Sequence, residues 1–177
     1  MPLDPPALLL EGGSAFLRPL DERDVEAIER ALDDAEIRRW FDNSDVTVQD
    51  VLERAALGWE RSDAANFAIL DDGRCVGSIW LNVGPNSRSS AGYWLLAEAR
   101  GKGLATRALV LVARWAFAEL GLKRVGLMTD PRNKSSRRVA ERAGFKKEGI
   151  LRSWTDVNGE RVDHVSYSLL PSDVSFE

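Results

Sequence analysis

The stretch YWLLAEARGKGLATRALVLVARWAFAEL, Tyr93 to Leu120, decides how the rest of the chain is read. An apolar run ends in Ala97-Glu98-Ala99, and a basic turn with two glycines follows, Arg100-Gly101-Lys102-Gly103. Neither Gly nor Pro then appears before Gly121. The order is strand, turn, helix. Glycines allow close approach of the backbone, successive N–H groups can share one concavity, and a helix N-terminus adds partial positive charge. The turn therefore reads either as an anion site or as a basic turn that only begins a helix.

Outward from this unit the punctuation is regular. Leu104, Ala108, Leu111, Trp115 and Ala118 fall on one face of the expected helix, which Gly121 stops. Arg124 to Thr129 reads as a strand, and Asn133 to Ala143 as a basic helix closed by Gly144. Phe145 to Trp154 and Val162 to Leu170 read as strands joined at Asn158-Gly159. Upstream, Ala15 to Leu20 is a strand. Asp21 and Asp24 form a capping-box pattern before Val25, Ile28, Ala31 and Leu32, a helical segment that ends near Trp40-Phe41. A second helix runs from Thr47, its N-cap, to about Glu60. Asn66–Leu70 and Arg74–Leu81 flank the hairpin turn Asp71-Asp72-Gly73, Gly84 to Ser90 is a loop, and Ala91 to Ala97 is the central strand. The order predicts one α/β (α+β) domain over 1–177, with its core at about 15–170. Its mixed sheet would have six to seven strands and helices on both faces.

Composition fits an ordinary globular chain, 44% apolar and 29% charged over 177 residues. Without an apolar run of membrane-spanning length, no membrane role is expected. Cys75 stands alone, so neither a disulfide nor a zinc cluster is expected, and a cytoplasmic location is the natural reading. The net charge of −4 conceals segregation. Arg100 to Arg152 holds 14 Lys/Arg against 4 Asp/Glu, and the remainder 10 against 24. A polyanionic ligand for the basic half is one reading, and a solvated basic face is the other.

Three phosphate-binding patterns compete for ARGKGLAT. The nucleotide P-loop is absent. The dinucleotide fingerprint meets Thr106 where its third glycine belongs, and Gly-Leu-Lys-Arg where an acidic ribose partner is wanted. The third pattern, Arg/Gln-x-x-Gly-x-Gly/Ala, is filled by Arg100, Gly103 and Ala105. It resembles the pyrophosphate-binding motif of the GNAT acyl-CoA N-acetyltransferases. The helix opening at Asn133-x-x-Ser136 and leading to Gly144-Phe145 resembles the same family. Leu17-Arg-Pro-Leu20, Gly92-Tyr-Trp94, Glu148-Gly and Asp163-His-Val-Ser-Tyr167-Ser-Leu-Leu170 are similar to its ribosomal-protein N-terminal (RimJ/RimL-like) branch.

That resemblance implies an acetyl-CoA-dependent N-acetyltransferase, with acetyl-CoA as co-substrate and no metal. The amine would attack the thioester directly through a tetrahedral intermediate. It implies that Leu95 and Leu96 act through main-chain groups, Leu95 also polarising the carbonyl. Arg100, Gly101, Lys102, Gly103, Leu104 and Ala105 would hold the pyrophosphate. Thr106 and Arg107 either add a contact or face solvent. Asn133 contacts the cofactor, caps its helix, or both, and Arg137 either reaches the ribose phosphate or lies on a solvated face. The tyrosine that many relatives carry seven residues after the asparagine is Ala140 here. Ser136 stands where the branch has a serine credited as proton donor. Glu98 is a candidate base or a surface residue, and Asp163, His164 and a water chain are the other candidates for that role.

The acceptor is open between a peptide N-terminus, a polyamine and an aminosugar. Asp33, Asp34, Glu36, Asp42 and Asp45 would welcome a cation or simply solubilise the chain. Trp40, Phe41, Trp80 and Trp94 would line a cleft or fill the core. A non-catalytic acyl-CoA-binding domain is the alternative reading, and nucleic acid is not an expected partner. Both monomer and homodimer are compatible with the sequence.

Overall fold

In the computed structural model the described residues are 9–11, 14–41, 45–84, 89–157 and 159–174. Asp42, Asn158 and residues 85–88 of the expected loop lie outside them. Strands β1 (Leu9–Glu11), β2 (Ser14–Pro19), β3 (Ala64–Asp71), β4 (Arg74–Val83), β5 (Ser89–Leu95), β6 (Val125–Thr129), β7 (Lys146–Val157) and β8 (Glu160–Leu169) form one mixed sheet. Its order is β1-β2-β3-β4-β5-β6-β8-β7. All seven expected strands are present, and the three-residue edge strand β1 is additional. The helices are α1 (Val25–Asp33), α2 (Ala35–Trp40), α3 (Val48–Arg61), α4 (Leu104–Ala118) and α5 (Lys134–Arg142).

Local chemistry explains the boundaries. Asp21 and Asp24 form the expected capping box ahead of α1, and Thr47 forms another with Asp50 ahead of α3. Asp72 and Gly73 take positive φ, 50° and 76°, as a tight hairpin between β3 and β4 requires. The first helical segment is not continuous. Asp34 is extended (ψ 117°), and its carboxylate accepts from the N–H groups of Glu36 and Ile37, so a new helix, α2, starts there. That break turns Glu36, Trp40 and Phe41 towards the sheet.

The pleat of β3 separates the two faces. Ala65, Phe67 and Ile69 pack with Ala108, Leu109 and Val112 of α4, together with Ala140 of α5. Ala68 and Leu70 pack with Ile28 of α1 and Ala55 of α3. Arg18 and the fully buried Asp24 lock β2 to the start of α1 through two short hydrogen bonds, 2.8 and 2.6 Å. Among the described residues no helix is long and apolar enough to cross a membrane.

One irregularity positions the site. β5 and β6 are parallel but pair only at Ser90–Gly126 and Ala91–Leu127. Beyond Ala91 the two strands diverge, so Tyr93, Trp94 and Leu95 border a gap in the sheet.

Candidate active site

A cavity of about 560 Å³ occupies this gap and opens onto both faces of the sheet. Strand alternation divides its walls. On β5, Tyr93 and Leu95 pack with the α4 and α5 core, while Trp94 packs with the α1 side. The hydrogen-bonding pattern divides the main chain in the same way. Leu96 N–H donates to Val76 C=O at 2.9 Å, which makes the facing pair Leu95–Gly77 a non-hydrogen-bonded one. The N–H and C=O of Leu95, and likewise of Tyr93, therefore point away from β4 into the gap. Leu95 C=O accepts from Arg100 Nε at 3.1 Å, and its N–H remains a donor on the cavity side.

On the α4/α5 side the wall includes Arg100, Gly101, Gly103, Leu104, Ala105, Thr106, Asn133 and Ser136. Gly101 and Gly103 have φ of 77° and 79°, and a Cβ on either would meet nothing within 4 Å. Backbone conformation, not crowding, requires glycine there. Gly103 is the N-cap of α4 and supplies no side-chain cap, so the first-turn N–H groups lack a side-chain acceptor. These features fit an acyl-CoA pyrophosphate.

Asn133 is the N-cap of α5. Its Oδ1 accepts from Ser136 N–H at 2.9 Å, which leaves its amide NH₂ group for another partner. The Ser136 hydroxyl neighbours the Tyr93 phenol, which burial pushes up to about 12. Ala140 is fully buried in the core and faces no part of the cavity.

Leu96, Lys102, Arg137, Glu98 and Arg107 stand apart from the cavity wall. Leu96 is 2% exposed and its N–H is already taken by Val76, so it offers the cavity no main-chain donor. Lys102 pairs with Asp71 at 3.0 Å. Arg137 turns to Tyr167 Oη at 3.4 Å and Pro131 C=O at 3.3 Å. Glu98 pairs with Arg30 at 2.6 Å and borders a separate surface depression. A hydrogen bond to its own backbone and the Arg30 guanidinium hold its carboxyl below the usual range. Arg107 lies over the Phe16 ring at 5.0 Å.

Arg100 both lines the cavity and braces it. Its guanidinium donates to Asp34 Oδ2 at 2.7 Å, tying the glycine turn to the cap of α2. Burial alone would raise the Asp34 carboxyl, but Arg100 and the two capping N–H groups hold it lowered.

On the opposite face the cavity is bordered by Glu36, Ile37 and Trp40 of α2, its C-cap Phe41, Trp80 of β4, Trp94 of β5, Trp154 to Val157 of β7 and His164 of β8. His164 Nε2 lies 3.1 Å from Thr155 Oγ1. Burial lowers its pKa, against a smaller opposing effect of Asp130. Asp163 instead accepts from Ser153 N–H at 2.7 Å. Tyr93, Val139, Arg142 and the Trp154–Val157 segment were not among the expected wall residues. Tyr93 was within reach of a period-of-two argument from Leu95. Trp154–Val157 was not, because β7 has a register shift between Leu151 and Thr155.

A two-sided cavity between a diverging parallel strand pair and an uncapped helix N-terminus has room for an anionic carrier on one side and a second substrate on the other. The family model for the acetyltransferase (GNAT) domain matches residues 15–146, and the chain belongs to this family, as an N-acetyltransferase with acetyl-CoA as co-substrate. It is 33% identical to the probable N-acetyltransferase YjcK of Bacillus subtilis, over 93% of this chain and 98% of that protein. It is also 33% identical to the putative ribosomal N-acetyltransferase YdaF of the same organism, over 87% of this chain and 90% of that one. In fold it resembles RimL, a ribosomal L7/L12 α-N-protein acetyltransferase solved with coenzyme A. The TM-score is 0.81 at 23% identity, over 89% of this chain and 95% of that one.

Proposed function

We propose that the protein transfers acetyl from acetyl-CoA to a primary amine by direct attack, with the cofactor on the α4/α5 face and the amine entering from the α2 face. The observation that carries this reading is the Leu95 main chain. Its N–H is aimed into the gap that joins the two halves of the cavity. Acetyl-CoA supplies an activated acyl thioester whose carbonyl oxygen gains negative charge under attack. A fixed N–H at that oxygen favours the transition state over the ground state.

In this reading the N–H groups from Gly101 to Thr106 hold the pyrophosphate, and Asn133 contacts the carrier arm through its free amide. Ser136 returns a proton to the leaving sulfur, held in place by the Asn133 cap and by Tyr93. His164, neutral at physiological pH because burial disfavours its charge, takes the amine proton, either directly or through Thr155. Glu98 has no part, since Arg30 holds it outside the cavity. Direct attack is favoured over a thiol relay because the chain's single cysteine, Cys75, does not border the cavity.

The test is thermal denaturation with and without saturating acetyl-CoA, followed by detection of free CoA when an amine is added. Stabilisation and amine-dependent CoA release are expected. Absence of stabilisation by either acetyl-CoA or CoA would overturn the assignment. Stabilisation without turnover over a broad amine panel would instead favour a binding domain.

A further inference from the structure

The wall on the α2 face is unusually aromatic, and its geometry is built in. Trp80 on β4 faces Gly92 on β5. A Cβ at Gly92 would fall 2.3 Å from Trp80 Cζ2 and 2.5 Å from Cε2, closer than any real Cβ contact. The indole therefore lies flat across the β5 backbone, next to the stretch that diverges from β6. Glycine at this position is what allows it. Phe41 meets Trp80 edge to face, with centroids 5.8 Å apart and planes at 64°. Although they border a concave site, Phe41 and Trp154 are 36% and 48% exposed. Apolar surface of this kind gains when a ligand covers it.

The charges around these rings limit what the ligand can be. Asp130 is paired with Arg132 at 2.7 Å and Asp156 with Arg161 at 2.9 Å. Among the described residues, Glu36 is the wall carboxylate with no ion pair, and it accepts the Trp40 indole N–H at 2.8 Å. One face of Trp40 already carries the chain's own cation, the Arg39 guanidinium at 4.8 Å. Among the described residues, the wall thus offers one unpaired carboxylate beside several aromatic faces. A polycation would find a single free carboxylate, and most of its length would lie against apolar rings.

We infer that, given the transferase reading above, the acceptor is a monoamine. Its amino group is carried on an aromatic or broad apolar body that packs on Trp80 and Phe41, with Glu36 drawing the amine in. The same chemistry is offered by a small arylalkylamine and by a peptide whose first residue is aromatic, and separate arms of the test distinguish them.

The experiment measures CoA release from acetyl-CoA with 2-phenylethylamine and tryptamine, with matched short peptides beginning in Phe or Ser, and with spermidine and putrescine. An aryl-bearing arm is expected to exceed spermidine in kcat/KM by about tenfold or more, since a complementary apolar pocket discriminates on that scale. The arm that wins, free amine or Phe-peptide, identifies the source. Trp80→Leu and Gly92→Ala should abolish the preference. Glu36→Gln, an exposed and conservative change, should raise the amine KM. In all three variants thermal stabilisation by acetyl-CoA should persist. Equal or better turnover of spermidine, or a preference unchanged in Trp80→Leu, overturns the inference and leaves the transferase reading standing. Acetyl-CoA binding with no turnover of any amine removes both.

Discussion

Gly103 shows how a single residue's backbone sets the cofactor site. Its φ of 79° lies where an L side chain is strained, yet the space that a methyl would occupy there is empty. Gly103→Ala should therefore cost only about 1 kcal/mol of stability, from conformation alone. The methyl would stand where the phosphates approach, so the KM for acetyl-CoA should rise while kcat changes less. Steady-state kinetics beside a melting curve separate the two effects. Tyr93 makes a different contribution. Its phenol stays protonated far above neutral pH because burial disfavours the anion, and it stands beside the Ser136 hydroxyl. It acts through Ser136 and so positions the proton donor. Tyr93→Phe keeps the ring and should lower kcat by about tenfold with little change in the acetyl-CoA KM. Ser136→Ala should lower it further, by about a hundredfold. If Tyr93→Phe had normal kcat at every pH, this role would be excluded.

Among the elements, α2 is the smallest and has the most leverage, because it carries Glu36, Trp40 and Phe41 to the cavity. It begins only because Asp34 caps it, and Arg100 holds that same carboxylate from the glycine turn. Asp34→Ala should destabilise the protein by about 1–2 kcal/mol, mostly through the lost cap. It should also raise the KM for both substrates, because one contact joins the two halves of the site. A rise for acetyl-CoA alone would show that α2 is held by other means. The Asp34 break was hard to read in advance. Asp33-Asp34 sits inside an apolar pattern that continues helically through Ile37, and only the capping geometry reveals two helices. The stripe expected on α4 was likewise incomplete. Ala118 is exposed, whereas Val112, Ala113 and Ala116 are buried, because the helix is covered by α5 as well as by the sheet. The glycine turn and the Asn133 cap were legible because both are local. The gap beside Leu95 and the inward face of Trp80 depend on where β6 leaves β5, a non-local pairing with no signature within a single segment.

For the whole molecule, the ionisable groups define a pH range of full stability with two separately testable limits. On the acid side, the Arg124 guanidinium and two serine hydroxyls hold Glu148 at about 2, against 4.5 when unperturbed. The Arg23 guanidinium holds Asp21 at about 2, against 3.8. Asp34 and Asp130 are lowered as well. For each, the unfolded chain binds a proton before the folded one does. Their stabilising effect is therefore complete above the unperturbed value and is lost as pH falls from about 4.5 towards 2. His164, lowered from 6.5 by burial, begins the same loss earlier, below about pH 6.5. On the alkaline side the sign reverses. Burial pushes Cys75 from 9.0 up to about 12, and Tyr93 from 10.0 up to about 12. Here the unfolded chain gives up its proton first, so stability is full below about pH 9 and falls as pH rises through the interval to 12. The melting temperature should thus be level between about pH 6.5 and 9 and decline on both sides. Cys75→Ala removes the group that titrates first on the alkaline side without touching the cavity wall. In that variant the alkaline decline should begin nearer pH 10, where Tyr93 takes over, and the acid decline should be unchanged. A decline that still began at pH 9 in Cys75→Ala would mean that another group, and not the thiol buried among α1-side residues, sets the alkaline limit.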